Sequence, residues 1–98
     1  MTKQLISIHK ICETYQIPES FFDELMAFDL LPIHKEAQEP MIDENQLPQV
    51  EKLMRLHFDL DINMEGIDVI VNLLNQIEQM QDEINELKKR LRLYEDIL

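Results

Sequence analysis

One glycine, one cysteine and two serines in 98 residues exclude much at the outset. Gly66 alone cannot build a loop that cradles phosphate, because several backbone N–H groups must approach the anion closely. Cys12 alone excludes an intrachain disulfide and fits a reducing compartment. Ser7 and Ser20 have no nucleophile context around them. No stretch approaches a membrane span, and the first ten residues, MTKQLISIHK, hold no apolar run of signal-peptide length. The expected location is cytoplasmic.

Positive charge is also scarce. Nine Lys+Arg stand against 20 Asp+Glu, a formal net charge of −11. Up to Asp43 the count is 3 against 8, and beyond it 6 against 12, so neither half segregates a basic face. Binding through phosphate contacts needs such a face, since neutralising phosphates and releasing counterions supplies most nonspecific affinity. The charge favours solubility and a basic partner instead. Acid pairs are abundant because acids are abundant, so none marks general acid–base chemistry, and neither an enzyme nor a cofactor site is expected. His9 and Cys12 share one helix face at i, i+3, but two ligands are too few for a metal. Asp59, Asp61 and Asn63 lack the glycine and the terminal glutamate of a calcium loop. His34 is read as a surface residue, and His57 as a helix-face residue at the edge of the core.

What is present is enough apolar residue, 45%, for a modest core in one domain, or in a small domain plus an appended helix. An extended piece, Leu5–Ile8, leads to a helix that Ser7 can cap, with Ile8, Ile11 and Cys12 on one face. After the turn at Tyr15–Pro18, a second helix is expected from about Glu19 to Phe28, with Pro18 at its entrance. Two short helices joined this way make a helix-turn-helix. The stretch Pro32–Ile42 has no helical period and reads as a loop or a small two-stranded wing. Asp43 with Gln46 matches a capping box for a third helix, whose first turns Pro48 weakens. Val50, Leu53, Met54, Leu56, His57 and Leu60 give that helix an apolar side, and Asn63 can cap a fourth. The predicted division is a helix-turn-helix domain over 1–62 and a helical segment over 63–98.

The last helix carries the clearest pattern. Ile70, Leu73, Ile77, Met80, Ile84, Leu87, Leu91, Tyr94 and Leu98 alternate spacings of three and four, with the isoleucines, Leu91 and Leu98 at heptad position a. A seam of this period with few other apolar residues after Ile77 asks for a partner helix, and the expected partner is the same helix of a second chain, a homodimer. Glu83 would face Lys88, and Arg90 would face Glu95, in a parallel pair.

Ile6-Ser7-Ile8…Cys12, Ile17-Pro18…Leu30-Leu31-Pro32, Asp43-Glu44…Val50…Leu53 and Leu60…Met64-Glu65-Gly66-Ile67 resemble the MerR-type winged helix-turn-helix. The end of the chain, Leu60-Asp61…Gly66-Ile67…Val69…Leu73…Ile77…Glu83…Arg90-Leu91, resembles the chaperone-modulator (CbpM) branch. The resemblance implies a mainly α fold with a small β wing and a coiled-coil dimerisation helix. It also implies binding to the J domain of a DnaJ/CbpA-like co-chaperone, and inhibition by covering the basic helix that the J domain presents to its chaperone partner. The other reading is a MerR-like DNA-binding regulator, with Lys3, Lys10, Lys35, Lys52 and Arg55 gathered onto phosphate. A third is an adaptor for some other basic protein.

The second helix argues against DNA. Positions where the DNA-binding relatives carry arginine fall at Ser20 and Asp23, and a tyrosine position falls at Glu24. In the wing, His34-Lys35-Glu36-Ala37-Gln38-Glu39-Pro40-Met41 keeps Lys35 as its fixed cation. Acids beside phosphate repel it, so nucleic acid is not an expected partner. Phe22, Leu25 and Phe28 fit the core face, which leaves Phe21 and Met26 over. Phe21, Asp23, Glu24 and Met26 are therefore the expected contacts for a basic, amphipathic helix.

Overall fold

The computed structural model describes residues 4–35 and 38–97. Among these the chain is mainly helical, in the order β1 (Leu5–Ser7), α1 (Ile8–Tyr15), α2 (Ser20–Ala27), β2 (Met41–Asp43), α3 (Leu47–Met54) and α4 (Met64–Ile97). Contacts divide the chain into two units, with the boundary after Asp68. That boundary lies beyond the start of α4, because Met64 and Ile67 of its first turn are buried in the first unit.

The first unit starts as its local signals dictate. The Ser7 hydroxyl accepts the Lys10 N–H and caps α1. Gln16 closes α1 in the left-handed conformation, and its N–H bonds the Cys12 carbonyl. A glycine would usually stand there. Pro18 then opens α2, and its carbonyl accepts the Phe21 N–H. β1 pairs antiparallel with β2, with Ile6 opposite Ile42. Among the described residues the wing shows one bridge, in which His34 and Met41 exchange backbone hydrogen bonds of 2.7 and 2.9 Å. β2 thus belongs to the sheet with β1 more than to a wing hairpin. Glu36 and Ala37 of the expected wing lie outside the described residues.

Two local expectations are corrected. The Asp43 carboxylate accepts the Asn45 N–H at 2.9 Å, one residue short of a capping box, and it starts a 3₁₀ turn over Glu44–Gln46. That turn delays α3, so Pro48 falls in its first turn, where the missing N–H costs nothing. The expected helix to Leu60 does not run straight through. After Met54 the chain widens into a π turn over Arg55–Asp59 and then takes Asp61 through the left-handed region. The extra residue per turn moves Leu60 into solvent, at 63% exposure, and brings His57 and Phe58 beside α2.

The core gathers Ile8, Ile11 and Cys12 of α1, Phe21, Phe22 and Leu25 of α2, Ile42 of β2, and Val50, Leu53 and Met54 of α3. Leu31 and the first turn of α4 close it. Asn63 caps α4 through its side-chain oxygen, which accepts the Gly66 N–H at 2.8 Å. A Cβ on Gly66 would stand 2.8 Å from Ile62 Cγ2 and 3.1 Å from that same Asn63 oxygen. The Ile62 methyl is held stiffly by its branched Cβ. Gly66→Ala is therefore expected to lose about 1 kcal/mol, although alanine is the better helix former by about that amount in an open site. Urea unfolding of the two proteins checks the sign; a stabilised variant would mean that Ile62 and the cap shift freely.

The second unit, from Val69 onward, is the remainder of α4. It carries its apolar seam in solvent: Leu73, Ile77, Met80, Ile84, Leu87, Leu91 and Tyr94 are exposed, and Ile70 is half-buried. Leu98 lies outside the described residues.

Candidate partner-binding site

α2 sets out the expected contact residues differently from the sequence reading. Phe21 was expected to be exposed, but it is 2% exposed. Its ring lies 5.0 Å from Phe58, 5.4 Å from His57 and 5.6 Å from Phe22, so the π turn has closed over it. Phe28, expected on the core face, caps the C-terminus of α2 and is half-buried. Two adjacent phenylalanines both fit inside because the core reaches α2 from two sides, with the π turn against Phe21. Helical periodicity within α2 does not contain that information.

The remaining three residues stay accessible. Asp23 and Glu24 are exposed and Met26 is half-buried. Asp23 and Met26 line a cleft of about 320 Å³ between α2 and the wing, together with Ile33, Lys35 and Glu39. α2 has an acid in its first turn and no basic residue in its last, so the negative end of its dipole is uncompensated. Glu39 and Ile33 were not singled out from the sequence. The signal that could have found them is the placement of charged and apolar residues within the reach of a short wing hairpin.

The histidines are used structurally. His9 Nδ1 pairs with the Glu19 carboxylate just before α2, and Nε2 lies 3.4 Å from Glu13. The hydrogen bond to Glu19 and the two carboxylates hold its pKa above the ordinary histidine value. Cys12 faces the core instead of sharing a ligand site with His9, and burial pushes its thiol pKa up. His57 Nδ1 hydrogen-bonds the Ile62 carbonyl at 2.9 Å. No group of three or more His, Cys, Asp or Glu among the described residues could hold a metal ion. No helix of the described residues is long and apolar enough to cross a membrane.

The cations of the DNA reading are spread out. Lys10, Lys35 and Arg55 line three different clefts, and Lys3 lies outside the described residues. What α2 presents is a pair of exposed carboxylates beside a half-buried methionine.

The profile of the MerR HTH family of regulatory proteins matches residues 6–89. This chain belongs to the MerR helix-turn-helix family. Within it, the chain is similar to proteins named chaperone modulatory protein CbpM. The relative from Pseudomonas putida strain F1 is 24% identical over 87 residues, covering 88% of this chain and 86% of the relative. Those from Pseudomonas entomophila strain L48 and Pseudomonas putida strain KT2440 are 21% and 23% identical over the same shares. The family and its relatives are named as regulatory and modulatory proteins. No solved structure matches the chain. A MerR-type domain thus keeps its helix-turn-helix order while its second helix presents carboxylates.

Proposed function

We propose that the protein is a chaperone modulator that binds the J domain of a DnaJ/CbpA-like co-chaperone and inhibits it by occlusion, acting as a homodimer. The observation that carries the reading is the pair Asp23 and Glu24, exposed on the second helix of a MerR-type fold where phosphate contact would need cations. The names of the relatives support a chaperone as the target, and the net charge of −11 supports a basic one. Asp23 and Glu24 would meet lysines and arginines of the J-domain helix, with Met26 adapting to the aliphatic stems between them. Phe21 supports this surface from beneath. Occlusion requires no chemistry: a J domain held here cannot present the same helix to its chaperone partner.

The test is calorimetric titration of the full-length protein with an isolated J domain from the same cell. The expected result is a saturable complex that weakens with salt, and that the double variant D23K/E24K weakens at least about tenfold, or ~1.4 kcal/mol. No complex, or an affinity unmoved by the reversal, would overturn the reading. The family's regulatory role favours DNA binding as the second reading. Retention of genomic fragments by the same preparation, with no J-domain complex, would replace the first reading with it.

A further inference from the structure

A depression larger than the cleft beside α2 lies between the end of α1, α3 and the π turn. It is open, encloses about 600 Å³, and has Ile17, Met54 and Phe58 as its apolar lining. Tyr15 and Phe58 beside it are 41% and 44% exposed. The groove exists for two local reasons. α1 stops at the left-handed Gln16, and Gln16 and Ile17 then line the depression across from Glu51 and Met54 of α3. The π turn then widens the backbone and leaves one face of Phe58 in solvent, while its ring stays against Phe21.

The rim is acidic on balance. Glu51 accepts the Tyr15 hydroxyl at 2.9 Å through one oxygen, and this bond raises the Tyr15 pKa. Asp59 stands on the rim as well. α1 ends here with no basic residue in its last turn, so its dipole adds negative potential. Two carboxylates and a helix C-terminus outweigh Arg55. Apolar floor, aromatic flanks and acidic rim together match one kind of ligand, an apolar ridge that carries positive charge.

We propose that this groove docks an amphipathic α-helix of another protein, with aliphatic side chains one turn apart seated against Met54 and Phe58 and a lysine or arginine at the Glu51 and Asp59 rim. Helix-in-groove recognition of this kind reads residues at i, i+3 and i+4. Methionine supplies an adaptable floor, and tyrosine supplies a rigid wall with a polar tip. Asp23 and Glu24 do not line this groove, so it is a second protein-binding surface, distinct from the acidic face of α2.

The experiment uses full-length ¹⁵N-labelled protein and a short synthetic amphipathic peptide of leucine and lysine as the probe, at physiological salt. The largest amide shifts are expected at Gln16, Ile17 and the run from Glu51 to Asp59. E51K/D59K, both changes on exposed side chains, is expected to weaken the peptide about tenfold, and D23K/E24K to leave it within about twofold. Shifts centred on α2 and the wing, equal losses in the two reversed variants, or no binding would overturn the proposal. So would groove amides that shift on dilution of the protein alone, since a second copy would then be the occupant. The J-domain titration reads the α2 surface separately, so either result can fail without the other.

Discussion

Phe21→Ala is expected to remove about 3–5 kcal/mol of folding stability, the usual cost of emptying a buried aromatic site. Phe21 is among the largest fully buried side chains, and its ring contacts Phe22, His57 and Phe58 at once. Removing it leaves Phe22 without its edge-on neighbour and takes away the surface on which the π turn rests. The surroundings cannot collapse inward easily, since His57 is tied to the Ile62 carbonyl. For a domain of marginal stability this is a large share of the whole. Urea unfolding followed by circular dichroism, at one fixed protein concentration, measures it. Phe58→Ala should cost about half as much or less, because 44% of Phe58 already faces water. A loss below about 1 kcal/mol at Phe21 would show that Phe58 swings in to fill the site.

Ile84→Lys is expected to weaken self-association at least about 100-fold, or ~2.7 kcal/mol. Ile84 occupies the middle a position of the seam that runs through the exposed unit of α4. Most helical stability in proteins comes from packing an apolar face against another surface, and this helix leaves its apolar seam in solvent. A second copy supplies an identical seam. A lysine there would have to bury its charge or splay the pair. Sedimentation equilibrium should show the two-chain mass in the parent and one chain in Ile84→Lys at micromolar concentration, with a matching loss of helicity. Leu93→Lys, also exposed but off the seam, should leave the mass unchanged. A parent that sediments as one chain, or a variant that stays paired, would sink the homodimer.

Much of the fold is legible because its signals are local. Ser7, Pro18 and Asn63 mark helix starts through hydrogen bonds or ring constraints that span three or four residues, and each is found at its helix start. The acidity of α2 is equally local: Asp23 and Glu24 follow an apolar pair, and the helical period puts them outside whatever packs within. Loop chemistry was harder to read. The side chain of Asp43 takes the Asn45 N–H and starts a 3₁₀ turn, and α3 begins only after that turn, with Pro48 at its start.

Residue order alone therefore determined the helix starts near Ser7, Pro18 and Asn63, the exposed acids of α2 and the heptad spacing of α4, all of which follow from spacing along one element. Only the tertiary structure decided that Phe21 is core, that the expected helix breaks into a π turn after Met54, and that Tyr15, Met54 and Phe58 share a groove. Those outcomes depend on which element faces which across the domain. Burial is settled by partners 36 or 37 residues away along the chain. No helical or strand period reaches that far.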